Sequence, residues 1–316
     1  MPYTQLNNLD FVDIKVALKD YMRAQTDFTD YDFEGSAISQ LLDVLAYNTY
    51  YTAFNTNMVV NELFLDSASL RDNVVSLAKQ LGYTPKSRIA PSATIDLEIT
   101  FPGTAPVSVT IKAGSGFVTN FDGSLYRFIV KDDYKSIVNN NVASFDGLIV
   151  YEGSYVSTKT VVDTSLNNQR FIIDNPSTDV STIKVKVWDS QNSSVYNLYE
   201  QANNILDITS DDKVYFINEI EDEKYEIFFG DGVLGKKLDN GNIVEIGTVL
   251  TNGDTTNGAS TFRFNGNIVD ENSSSIQVPF NVSNLTVVSK SSGGTSIESI
   301  EKIKYNAPKF YGSQNR

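Results

Sequence analysis

The run Gly230-Asp231-Gly232-Val233-Leu234-Gly235-Lys236-Lys237 has residue types and spacing that can cradle a nucleotide phosphate, with two glycines and a lysine set directly after an apolar segment. In a phosphate loop the next position is Ser or Thr, whose hydroxyl holds magnesium, and a helix N-terminus then receives the phosphate. Here the position is Lys237, and the following Leu238-Asp239-Asn240-Gly241 is a turn. A pair of glycine-rich β-turns is therefore expected, without a nucleotide. Glu219, Glu221, Asp222 and Glu223 could supply paired carboxylates for glycoside hydrolysis. Four acids in a short polar turn are expected instead to be a solvated hairpin tip, where no burial raises one of them into a proton donor. Asn192, Asn272, Asn281 and Asn284 each begin an Asn-x-Ser/Thr triplet, read as chance matches in an Asn- and Ser-rich chain.

Composition narrows the chemistry further. The 316 residues include no histidine and no cysteine. That removes the commonest general base, thiolate nucleophiles, disulfides, and zinc sites built on imidazole or sulfur. No catalytic residue, cofactor or metal ligand is expected, and the chain is read as a non-enzyme. Twenty-five Lys and Arg stand against 39 Asp and Glu, a net charge of −14, which argues against a surface that coats nucleic acid. Hydrophobic residues make up 41% and charged residues 20%, the balance of folded protein with room for two or more domains. No stretch approaches the roughly 20 apolar residues of a membrane span. Met1 to Phe11 lacks the basic-then-apolar pattern of a signal peptide, so a reducing or uncompartmented setting is expected.

The elements that carry these residues fall into an α+β order. After a loose lead-in over residues 1–9, Asp10 and Asp13 open a helix whose Ile14, Leu18, Tyr21 and Met22 share one face. That face either closes the domain's own bundle or docks on a partner. Thr26 to Tyr31 is connecting chain, and Gly35 and Ser36 begin a central helix. In it Ile38, Leu41, Leu42 and Leu45 form one apolar stripe, while Val44, Tyr47, Tyr51, Phe54 and Met58 form another. A helix apolar on most sides must be covered on most sides, by its own neighbours or by another chain. A further helix is expected with Asp66 or Ser67 as N-cap, Leu70, Val74, Leu77 and Leu81 as its stripe, and Gly82 as its C-cap glycine before Pro85.

From Thr84 the period changes from helical to alternating, which places a boundary near residues 85–92. Ile95, Leu97, Ile99 and Phe101 point one way, with Asp96, Glu98 and Thr100 between them. Further strands are expected at Val107–Ile111, Leu125–Val130, Leu148–Tyr151, Tyr155–Val162, Arg170–Ile173 and Ile183–Trp188. A hairpin follows from Val214–Ile217 and Lys224–Phe229, and late strands from Val278–Phe280 and Leu285–Val288. Lys184 and Lys186 are read as guards of an exposed strand face, and Trp188 beside them as a packing residue under a loop, with an interface anchor as the alternative. Asn240–Asn267 reads as turns with short strands, and Thr295–Pro308 as helical, with Ile297, Ile300, Ile303 and Lys304 near one stripe. The expected organisation is a helical domain over 1–90, β-rich and mainly antiparallel structure over 91–290, and a helical segment over 291–316 leading into a further C-terminal region.

The run DYDFEGSAISQLLDVLAYNTYYTAFNTNMVVNE, with FLDSASLRDNVVSLAKQLGYTP after it, resembles the N-terminal part of the baseplate wedge proteins of T4-like contractile-tailed phages, within the wider baseplate J-like family. A second block, Phe229 to Gly235 with Asn240 to Val244, is similar to the signature of that family. Thr251 to Asp254, Asn257-Gly258, the pair Gly293-Gly294, Glu298, Glu301, Ala307 and Pro308, and the final Ser313 to Arg316 continue the likeness. The resemblance implies a structural subunit of the virion's tail baseplate, assembled in the host cytoplasm. It implies helices that bundle with a second copy and with other wedge proteins, and tail hub or sheath-initiating proteins as further neighbours. It makes Ile14, Leu18, Tyr21, Met22, Leu41, Val44, Leu45, Tyr47, Tyr51, Phe54 and Met58 the candidate partner interface. It also makes Gly230, Asp231, Gly232, Gly235, Gly293 and Gly294 a structural turn motif. A carbohydrate- or receptor-binding β module, with the helices as anchor, is the alternative.

Overall fold

The computed structural model describes residues 10–25, 34–166, 169–202, 207–276 and 278–314. The lead-in at 1–9, the connection Thr26–Tyr31 and the last two residues lie outside them. The chain has a helical N-terminal region, a mostly antiparallel β body and a C-terminal helix, in two compact units. One holds residues 1–83 with 300–316, the other Thr84–Ser299.

In the helical unit, α1 spans Phe11–Arg23, and the Asp10 side chain caps it by accepting from the Val12 amide at 2.8 Å. Ser36 does the same for α2, Ala37–Glu62, through the Ser39 amide at 3.0 Å. α1 lies along α2, and Lys15 meets Asp43 at 2.6 Å. The face that α2 turns inward is mostly small or polar: Ser39, Leu42, Ala46, Ala53, Asn57 and Asn61 are buried. Small side chains let neighbouring backbone approach closely, and the large apolar residues are left facing out.

The next helix, α3, spans Arg71–Gln80, later than expected, and neither Asp66 nor Ser67 caps it. Its preceding residue is Leu70, which has no capping side chain, so the work passes to Glu62 at the end of α2. One Glu62 oxygen accepts from the Ser69 amide at 2.8 Å and the Ser69 hydroxyl, and the other from the Leu70 amide and the Asn73 side chain. Gly82 closes α3 as expected: its amide bonds the Lys79 carbonyl and the Tyr83 amide bonds that of Ala78.

Partial desolvation pushes the Glu62 carboxyl up, but the hydrogen bonds from Ser69, Asn73 and the Ser69 and Leu70 amides outweigh it and lower it from 4.5 to about 2. A folded value below the unfolded one means that the carboxylate's contribution is fully present above pH 4.5 and is lost as the pH falls towards 2. Glu62→Gln is expected to lower stability at neutral pH by about 1 kcal/mol and to flatten this acid loss. Thermal melts of both proteins between those pH values, followed by helical circular dichroism, check it; parallel acid profiles would refute it.

Helix α4, Ile300–Gln314, starts later than expected and continues through Pro308, which sits exposed. It packs on α3, where Ile303 and Ala307 join Ala68, Val74, Val75 and Ala78 in one small core, and Phe310 meets Tyr83 edge-on at 5.7 Å.

In the β unit, β1 (Ser92–Thr100) alternates strictly between half-buried and buried residues, as its sequence predicts. It sits in a six-stranded sheet between β6 (Val142–Glu152) and β16 (Asn281–Ser292), with β4 (Ser124–Val130), β3 (Gly116–Phe121) and β14 (Arg263–Phe264) beyond β6. A three-stranded sheet of β15 (Ile268–Val269), β2 (Ser108–Ile111) and β5 (Tyr134–Ile137) shares its core. Phe101, Phe117 and Phe128 lie in that core, and Phe128 packs edge-on against Phe262 at 4.9 Å. The late strands proved to be one 12-residue strand, since Val278–Phe280 is not extended into a ladder and β16 runs unbroken from Asn281.

The second large sheet runs β7 (Ser154–Val161), β13 (Ile243–Leu250), β9 (Thr178–Trp188), β10 (Tyr196–Gln201), β11 (Val214–Glu219), β12 (Tyr225–Phe229) and β8 (Phe171–Ile173). Among the described strands of this sheet, β10 and β11 are the one parallel pair. Strand β13, in the stretch expected to hold turns with short strands, runs for eight residues and lies between β7 and β9, antiparallel to both. That placement also corrects the reading of Lys184 and Lys186. Strand β9 is interior, so these lysines guard no edge; they pair with Asp132 at 2.6 Å and Glu245 at 3.6 Å. Trp188 packs as expected, against Tyr196 and under the Lys159 ammonium at 4.7 Å.

Candidate assembly surface

The loop over 230–237 is closed by its own hydrogen bonds. Gly232 donates to the Gly235 carbonyl, Gly235 to Thr209 and Lys236 to Asp212. One Asp231 carboxylate oxygen accepts from the amides of Val233 at 2.9 Å and Leu234 at 3.0 Å. These two bonds, that from Leu234 the larger, hold the Asp231 carboxyl below its ordinary value. Every amide from Gly232 to Lys236 is therefore engaged, and none is free to hold a phosphate. Gly230 and Gly235 touch backbone to backbone, and Gly230 bridges to Lys237.

The acidic cluster divides in two. Glu219 is 5% exposed on β11, so it is not part of a solvated tip. Glu221–Glu223 form a 3-10 turn, with Glu223 at 3.4 Å from Arg88 and Asp222 at 3.8 Å from Lys224. No group of three or more carboxylates converges on a metal position among the described residues, and no described helix is long and apolar enough to cross a membrane.

The feature that stands out is the outer surface of α2. Leu41, Val44, Leu45, Tyr47, Tyr51, Phe54 and Met58 are all exposed, between 42% for Met58 and 65% for Val44. Val44, Tyr47, Tyr51, Phe54 and Met58 repeat at alternating steps of three and four, the spacing of a seam that inserts into holes on another helix. Tyr47 and Tyr51 lie with ring centres 5.4 Å apart, and Tyr51 and Phe54 6.5 Å apart, so the aromatics form one continuous ridge.

The polar groups of α2 add little charge to this surface. The hydroxyls of Thr49, Thr52 and Thr56 each donate back to the carbonyl four residues earlier at 2.8 Å. The only charged side chains on α2 are Asp43 and Glu62, one held by Lys15 and the other capping α3. Between them a helix surface of nearly five turns carries no formal charge.

The residues expected on α1 are divided. Tyr21 is exposed at 65%, Leu18 and Met22 are half-buried, and Ile14, at 7%, is enclosed within the chain's own fold. Sequence reasoning passed over Val12, Val16, Val59, Leu63 and Phe64, which are exposed as well. Val59 was findable, because it falls on the Leu41 and Leu45 stripe after five turns; Leu63 and Phe64 lie past the helix end, where periodicity has no force.

The family model for baseplate wedge protein gp6-like proteins, helical domain, matches residues 10–83. Baseplate wedge protein gp6 of Enterobacteria phage T4 is 28% identical over 312 residues, covering 93% of this chain and 46% of that protein. The chain thus spans about half the length of the curated relative it matches. The cryo-EM structure of the anti-feeding prophage (AFP) baseplate, six-fold symmetrised, is matched with a TM-score of 0.30 and 12% identity, over 99% of this chain and 62% of that one. A likeness at that score adds nothing to the assignment. The helices that expose the apolar ridge lie within residues 10–83, which match the gp6-like helical-domain model, in a chain similar to gp6 of phage T4 over 93% of its own length.

Proposed function

We propose that this chain is a structural, non-catalytic subunit of a phage tail baseplate wedge, built into the virion through the outer surface of α2 and the exposed side of α1. The observation that carries the proposal is the uncharged ridge of Val44, Tyr47, Tyr51, Phe54 and Met58, exposed on a helix whose inner face is already occupied. Large exposed apolar patches mark association surfaces, and this one lies within the gp6-like domain. The partners are other baseplate wedge proteins and a second copy of the chain. Each large side chain covered by a partner contributes about 1.5 to 3 kcal/mol before ordering costs. The test is light scattering after size-exclusion chromatography of the full chain, alone and with baseplate wedge proteins. A complex lost on substituting the ridge supports the proposal. A monomer indifferent to every wedge protein overturns it and returns weight to a binding role for the β unit.

A further inference from the structure

The chain leaves the helical unit after Tyr83 and re-enters it at Ile300. Between Pro85 and Pro91, and again around Gly293-Gly294, its composition is that of a loose linker. Its bonding is the opposite. Lys86 and Glu298 share two hydrogen bonds: the Glu298 amide donates to the Lys86 carbonyl at 3.1 Å, and the Lys86 amide to the Glu298 carboxylate at 2.9 Å. Ile89 and Thr295 exchange both backbone bonds at 3.0 Å. The outgoing and returning segments therefore form a short antiparallel ribbon.

The ribbon is fastened to the β unit along its length. The Ala90 amide donates to the carboxylate of Asp179, which is fully buried, at 2.7 Å. The Val180 amide donates to the Ser87 hydroxyl at 3.0 Å, and the Glu152 amide to the Pro91 carbonyl at 2.9 Å. On the returning side the Asn257 side chain makes both bonds to the Gly294 backbone, at 2.9 and 3.0 Å. The Pro91 ring lies where a side chain on residue 294 would stand.

We infer that Lys86–Ala90 and Thr295–Glu298 form a two-ply tether, fastened by Asp179 and Asn257, that stiffens both covalent connections to the helical unit. Two adjacent crossings resist twisting in a way that a single peptide linker does not.

Amide hydrogen exchange on the full chain, resolved to peptides 84–92 and 292–299, tests this. In the wild type both peptides are expected to exchange at least about 100-fold more slowly than the exposed β-turns, as paired backbone does. Asp179→Asn leaves one fewer strong acceptor and is expected to speed exchange in 84–92 about tenfold while β1 is unchanged. Linker-like exchange of both peptides in the wild type would overturn the inference, as would an unaltered 84–92 in Asp179→Asn. Should that variant fail to fold, Ile89→Cys with Thr295→Cys provides an independent reading. Residues that exchange both backbone bonds have Cα atoms about 5.5 Å apart, within the span a disulfide accepts. The chain has no other cysteine, so ready oxidation to a single disulfide supports the tether and persistent free thiols refute it.

Discussion

Changing Tyr51 and Phe54 together to glutamate is expected to weaken association with wedge partners by at least about 100-fold while moving stability by no more than about 0.5 kcal/mol. Both side chains are about half exposed, so the isolated chain loses little when they become polar. In an assembled bundle each new carboxylate is enclosed without a countercharge on α2, and that costs more than the lost apolar contact alone. Val195→Glu, at a 73% exposed position of the β unit, serves as the control and should leave association intact. Equilibrium sedimentation against a wedge partner measures the first effect and thermal melts the second. Undiminished binding by the double variant would remove the ridge from the interface.

The turn motif yields the other large effect, as a contrast between two glycines two residues apart. A Cβ at Gly230 would stand 2.2 Å from the carbonyl carbon and oxygen of Gly235, backbone atoms fixed by the bonds to Thr209 and Gly232. Gly230→Ala must therefore open the loop, with an expected loss of about 3 kcal/mol, the upper range for overpacked sites. Gly232 has a φ of 94° and open space beyond a 3.8 Å contact with Lys237. Gly232→Ala bears only the left-handed backbone penalty, about 1 to 2 kcal/mol. Chemical denaturation of both variants separates the cases. Equal losses would mean that the loop adapts, and its close packing would then not explain the glycine spacing.

The helix ends and the first strand could be found from the sequence because the signals are local. Asp10, Ser36 and Gly82 act within a turn of their own positions, and β1 shows its alternation in nine consecutive residues. The start of α3 could not, because its cap comes from Glu62, seven residues before Ser69 and on another helix. The length of strand β13 was obscured by its Gly247 and by the turns around it, and its interior place depends on pairing with β7 and β9, far away in sequence. Serine and asparagine broke the pattern of β16 in the same way.

For the assembly surface, the exposed ridge was visible as too many apolar positions on one helix. What was hidden is the reason they stay outside. Ser39, Ala46, Ala53, Asn57 and Asn61 do not register as an apolar stripe, yet with Leu42 they occupy the inward face. The division of Ile14 from Tyr21 likewise depends on where α1 meets α2, which spacing alone does not determine.

That inner face of small residues also bears on the order in which molecules come together. A helix with bulky groups inside could rotate about its axis and hide its ridge while waiting, but α2 has nothing of equal size to exchange for Tyr47, Tyr51 and Phe54. If the ridge is the assembly surface proposed above, chains made in excess of their partner are expected to keep it facing solvent, where self-association competes with capture.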